Sequence, residues 1–202
     1  LLYGFTPCIC SITYALGNNQ TSMTFFRNLF ALPVFLLLLL LEKVDLAIDR
    51  ITMLKIFILG NLGSLMTTLL LYSSYQYISV GMATTIHFLY PVLVVIFSFL
   101  FYRESVTKEK IRSILCAGTG IVCFLLNSHT GSITGILLAF GSSITFSLYM
   151  MLLDKWKLAR MHGCKLLFYM TLLTVMELVL MNLKGHFLIF NQSLTVYLLT
   201  VL

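Results

Sequence analysis

The sequence predicts an all-α integral membrane protein, a multispan bundle of about eight hydrophobic helices. Three observations predict it. The 202 residues are 59% hydrophobic and only 10% charged, with a mean hydropathy of +0.99, whereas a soluble domain carries about 25% charged residues. So few charges cannot clothe a surface in water, so lipid must be the solvent for most of it. The apolar residues fall into runs of the length that crosses a bilayer, and the connections between them alternate between basic and nearly uncharged.

The spans expected, in order, are 1–16, 23–41, 53–74, 80–102, 110–127, 133–153, 166–183 and 193–202. The first and last are short because the chain opens and closes within apolar sequence, and it is expected to be a piece of a longer protein. Pro7, Pro33 and Pro91 lie inside spans, where neighbouring helices can satisfy the carbonyl that proline leaves without a donor. The second span carries Arg27 about one turn inside, in Thr24-Phe25-Phe26-Arg27-Asn28. It is a candidate gate or anion contact, with snorkelling to the interface as the plainer alternative. The third span places Gly60, Gly63, Ser64 and Thr67 on one side, and the sixth does the same with Gly135, Ala139 and Ser142 or Ser143. Small residues at these spacings let helix backbones approach closely.

The fourth span holds the most polar stretch, Thr84-Thr85-Ile86-His87-Phe88-Leu89-Tyr90-Pro91. Pro91 cannot donate a backbone hydrogen bond and clashes with the preceding turn, which loosens the carbonyl of His87. Thr84, His87, Tyr90 and Pro91, with Tyr149 from the sixth span, are therefore candidate substrate contacts, the alternative for His87 being a core histidine bonded to a neighbouring helix. Glu177 lies mid-span in the seventh helix. A carboxylate at that depth is a functional candidate by default, here for relaying a proton; the alternative is a protonated group bonded to a neighbour.

Eleven of the thirteen Lys and Arg residues fall on one set of connections, from Lys43 to Lys55, Arg103 to Arg112 and Lys155 to Lys165. The basic side is expected to be cytoplasmic, in the cell membrane. Asn19 and Asn191 begin N-x-Ser/Thr sequons on the opposite side. The net charge of +6 reads as this membrane asymmetry, so no nucleic-acid partner is expected. Of the five cysteines, Cys8, Cys10, Cys116, Cys123 and Cys164, four lie in apolar segments and none forms a CxxC pair. They read as packing residues, and no metal or cofactor is expected. No nucleophile elbow, HExxH helix, Walker loop or dinucleotide fingerprint occurs, so no enzyme activity is expected.

Residues 10–16, Cys-Ser-Ile-Thr-Tyr-Ala-Leu, are echoed at 142–148 by Ser-Ser-Ile-Thr-Phe-Ser-Leu, with four of the seven positions identical. Five spans separate the two, and an odd number reverses orientation, as in the inverted repeats of secondary transporters.

Residues 77–124 carry a more specific pattern: Tyr90-Pro91 mid-helix, Glu104 closing that helix, Thr107 shortly after, and Gly118 and Gly120 in the next span. This resembles the EamA-type branch of the drug/metabolite transporter superfamily, and Arg27 and Pro33 resemble that family's second helix. The resemblance implies two inverted five-helix repeats, with residues 1–127 as the first and 133–202 as part of the second. Glu104 is expected to act as a structural lock paired with a basic residue, and Gly118 and Gly120 as structural motif positions. His87 matches no family position.

The expected function is secondary active export of small organic metabolites, such as amino acids or drugs, by alternating access around a central cavity. The expected partners are the lipid bilayer, a small-molecule substrate and a proton as coupling ion. The alternatives are a carrier of nucleotide-sugars or lipid-linked substrates, and a multispan scaffold or membrane-embedded enzyme that transports nothing.

Overall fold

A computed structural model describes residues 9–10, 12–103, 107–127 and 132–201. Pro7 and Glu104, with the ion pair expected of the latter, lie outside the described residues. Among those described there is no strand. The helices are α1 (Gln20–Leu41), α2 (Arg50–Ser74), α3 (Val80–His87), α4 (Tyr90–Tyr102), α5 (Lys108–Asn127), α6 (Ile133–Lys155), α7 (Gly163–Gly185) and α8 (Leu194–Val201). Residues 12–15 form a helical turn where the first span was expected. Five stretches are long and apolar enough to cross a membrane: α1, α2, α3 with α4, α6 and α7. The chain is an all-α, multipass membrane protein.

Local chemistry starts and stops these helices. Asn19 caps α1 by accepting from Ser22 N–H at 2.7 Å, Asp49 caps α2 by accepting from Thr52 N–H at 3.0 Å, and Ser79 caps α3. Each cap satisfies an N–H that has no partner inside the helix. α1 ends with Lys43 in the left-handed region at φ 52°. There Val44 N–H reaches Leu39 C=O and Lys43 N–H reaches Leu40 C=O, the paired bonds that close a helix C-terminus.

Two departures from regular helix matter. The expected continuous span over 80–102 is two helices, because α3 stops at His87 and α4 begins at Tyr90 with Pro91 in its first turn. The expected span over 53–74 is continuous but runs from α-helix into a π-helical segment, Gly60–Met66, and back. Such segments recur at functional sites.

The chain divides into two compact units, Leu1–Leu65 with Leu153–Leu202, and Met66–Leu152. These are packing units, a different partition from repeats in sequence. In the first, α7 packs along α1 and also meets the start of α2, while α8 packs on α1. In the second, Ile78, Met82, Ala83, Ile86 and Ala139 form an apolar core under Leu71, Tyr75, Leu89 and Ile136. Gly135 is buried there because a Cβ would stand 2.7 Å from the Ile78 side chain and 2.8 Å from that of Tyr77. Gly60, in the first unit, lies against the Met170 backbone, where a Cβ would make ordinary contact at 3.6 Å. A Cβ at Gly118 or Gly120 would meet nothing within 4 Å.

Many small hydroxyl residues are buried, among them Ser22, Thr24, Ser142, Ser143, Ser147 and Thr174, while large apolar residues such as Leu40, Leu41, Leu100 and Phe101 are exposed. Thr24, Ser142, Ser143 and Thr174 each donate to a carbonyl three or four residues back in their own helix. Small self-satisfied polar groups inside and large apolar groups outside suit a protein dissolved in lipid.

Candidate functional site

In the Met66–Leu152 unit, the break between α3 and α4 builds a polar, aromatic cluster. Phe88 N–H bonds Thr84 C=O at 2.9 Å and Leu89 N–H bonds Ile86 C=O at 3.1 Å, so the chain turns tightly after His87. In a continuous helix the His87 carbonyl would accept from residue 91, but proline has no N–H to give. The break therefore follows from one residue, and it brings His87 and Tyr90 onto the same side of the turn.

α6 supplies the facing wall. Ser142, Phe146 and Tyr149 recur at spacings of four and three, which puts them on one helical face. His87 Nδ1 lies 2.9 Å from Ser142 Oγ. The Ser142 hydroxyl has one proton and donates it to Ala139 C=O at 2.6 Å. Ser142 Oγ therefore accepts, and the His87 proton resides on Nδ1. Nε2 is left as the acceptor of the neutral ring, and among the described residues no donor reaches it.

The rings complete the cluster. Phe146 stands edge-on to Tyr90 with centroids 4.7 Å apart, lies 5.4 Å from His87 and 5.5 Å from Tyr149, and Tyr90 lies 5.8 Å from His87. Ser147 Oγ donates to Tyr90 C=O at 3.0 Å, pinning the first residue of α4 to α6. Thr84 belongs to the same turn, but its hydroxyl donates to Val80 C=O at 2.8 Å. Pro91 shapes the break and is itself exposed.

The other unit holds a separate polar pair. Asn61, in the π-helical segment of α2, donates its amide to Glu177 Oε1 on α7 at 2.7 Å. Among the described residues, Glu177 Oε2 is buried with no hydrogen-bond partner. Arg27 belongs to this unit, half-buried immediately after the buried stretch Ser22–Phe26 of α1. Asn19 is engaged on both sides of its amide, capping α1 and donating to Phe187 C=O at 2.8 Å. A glycan on Nδ2 would take one of its two hydrogens and crowd that contact, whereas Asn191 is exposed.

Of the sequence candidates, His87, Tyr90 and Tyr149 thus meet in one cluster with Thr84 and Pro91 beside it, while Arg27 and Glu177 belong to the other unit. Residues 1–126 match the EamA-like transporter family, more than half of the chain. The chain belongs to that family. A protein of Archaeoglobus fulgidus named as an uncharacterized transporter is 34% identical over 95 residues, 47% of this chain and 34% of that relative. The EamA-like chain thus matches about a third of the relative's length.

Sequence reasoning about this EamA-like protein missed Ser142 as the partner of His87, Phe146 as the hub of the rings and Asn61 as the partner of Glu177. In sequence the stretch 142–148 reads as a repeat, and Ser142 as part of a small-residue packing face. A polar residue between Gly60 and Gly63 was the one available signal for Asn61.

Proposed function

We propose that this EamA-like transporter is a secondary active carrier that exports small organic metabolites by alternating access, with a proton as the coupling ion. The reading rests on the His87 cluster. It combines a broken helix, an imidazole acceptor and a group of edge-on and tilted aromatic rings, and carriers place substrate sites at such breaks. His87 Nε2 accepts a hydrogen bond from a substrate ammonium or hydroxyl, and Tyr90, Phe146 and Tyr149 contact its apolar body or stabilise its cation. Glu177 is the proton site in this reading. Asn61 holds one carboxyl oxygen, and the other is placed to carry a proton in a region where an unprotonated carboxylate is costly. Arg27 is proposed as an anion contact on α1. Residues 1–127 and 133–202 are proposed as inverted repeats, with the basic connections on the cytoplasmic face of the cell membrane.

The test is movement of labelled amino acids and other metabolites in everted membrane vesicles, with and without a proton gradient. Wild type is expected to accumulate at least one compound, and to lose this when the gradient is collapsed. His87→Ala is expected to abolish movement and Arg27→Ala to impair it. Glu177→Gln keeps the shape of the side chain and is expected to leave exchange but remove the response to pH. Correctly inserted protein that moves no compound in the panel would overturn the metabolite reading. An unchanged pH response in Glu177→Gln would overturn the proton role alone.

A further inference from the structure

The end of α1 and the start of α7, both in the same packing unit, bring three metal-binding side chains together. Glu42 is the C-terminal cap of α1, and its Oε2 lies 2.9 Å from His162 Nε2. Cys164, a reduced thiol two residues further on, completes the group, and all three donor atoms lie within 4.8 Å of one another. We propose that Glu42, His162 and Cys164 form a binding site for a divalent transition-metal ion, Zn²⁺ in the first instance, that clamps α1 to α7.

The donor set supports this reading. Imidazole, thiolate and carboxylate are the three ligand types that zinc takes from proteins, at about 2.0–2.3 Å, and a three-ligand site leaves one position for water. Bond lengths of that size around a tetrahedral ion put the donors about 3.4 Å apart. The Glu42–His162 separation of 2.9 Å must therefore widen by about half an ångström, while the others, all within 4.8 Å, need to close by no more than about 1.4 Å. Charge also balances, because a thiolate and a carboxylate neutralise a divalent cation, with the thiol proton passing to water on binding.

The backbone holds the donors in place independently of any ion. His162 precedes α7 without capping it through its side chain, which leaves the imidazole for Glu42. Cys164 sits in the first turn of α7, two residues beyond His162. The segment after Glu42 is fastened to α7 at two points: Lys165 Nζ donates to Ala47 C=O at 2.9 Å and Tyr169 OH donates to Leu46 C=O at 2.6 Å. Lys165 is thereby drawn to the backbone of that segment. The site was invisible to spacing rules because its carboxylate lies 120 residues before His162, and His162-Gly163-Cys164 alone is no zinc motif.

The test uses the purified chain in lipid nanodiscs, stripped with a chelator and titrated with Zn²⁺ against a chromophoric competitor. One equivalent is expected to bind, with affinity falling roughly tenfold or more in each of Glu42→Gln, His162→Ala and Cys164→Ser. Co²⁺ in place of Zn²⁺ is expected to give a thiolate charge-transfer band that Cys164→Ser abolishes. The unaltered protein supplies a reading that no folding defect can confuse. Zn²⁺ should protect Cys164 from maleimide alkylation, mapped by mass spectrometry, while leaving the exposed Cys116 as reactive as before. Absence of saturable binding, binding indifferent to all three substitutions, or equal alkylation of Cys164 with and without Zn²⁺ would overturn the proposal.

Discussion

His87 shows how a single hydrogen bond fixes the chemistry of a residue. Because Ser142 donates its proton to Ala139 C=O, it can only accept from His87, and this leaves Nε2 as the ring's acceptor. Ser142→Ala removes that acceptor and strands the Nδ1 proton. Interhelical hydrogen bonds in membrane proteins contribute about 0.6 kcal/mol, rarely beyond about 1.7. The variant is therefore expected to fold, with a small fall in thermal midpoint measured in detergent, and to lose transport out of proportion to that fall. Asp49 offers a second test outside the spans. Hydrogen bonds from the Thr52 hydroxyl and then its backbone N–H hold the Asp49 carboxyl below its ordinary value of 3.8. A lowered folded-state value means the stabilisation is complete above the unfolded value and disappears as pH falls through the folded one. Asp49→Asn should flatten the thermal midpoint's pH dependence below about pH 4 and leave it unchanged near neutrality.

At the scale of the helix, two kinds of residue act where a side chain would otherwise be expected to. Pro91 ends α3 by withholding a donor, and Gly135 lets α6 approach the 77–78 connection by withholding a Cβ. A Cβ at 135 would come within 2.8 Å of two side chains, closer than packing allows, so Gly135→Val is expected to cost about 1–3 kcal/mol through overpacking. Gly118→Val should cost far less, since a Cβ there has open space. Thermal unfolding of the two variants side by side measures the difference. A larger loss at 118 would show that the contact at 135 relaxes freely.

For the whole molecule, the open question is which face is inside. Eleven of the thirteen basic residues lie on one set of connections, and the connections that oppose them hold Asn18, Asn19 and Gln192, with Gln192 bonded to Asn18 at 2.7 Å. Single cysteines introduced into a background lacking the native ones, at Lys157 and at Ser193, provide the measurement. An impermeant maleimide applied to intact cells is expected to label position 193 and to spare 157 until the membrane is opened. The reverse pattern would invert the orientation and make the proposed exporter an importer in the same geometry.

What the sequence determined by itself is whatever depends on a residue and its near neighbours. The span positions, the membrane as solvent, the loosening of the helix at Pro91 and the segregation of charge all follow from local composition, because hydrophobic length and proline stereochemistry act along the chain; that the span over 80–102 parts into two helices was seen only in the structure. The EamA-type pattern at Tyr90-Pro91, Gly118 and Gly120 is local as well. The partners of the functional residues were decided only by tertiary structure: Ser142 for His87, Asn61 for Glu177, and Glu42 for His162 and Cys164. In a soluble helix an apolar stripe announces which face turns inward. These helices are apolar on nearly every side because lipid takes the place of water, so sequence leaves their rotation about the helix axis unspecified. Close packing of small residues such as Gly60, Gly135 and Ala139 sets that rotation, and with it the neighbour that each polar group meets.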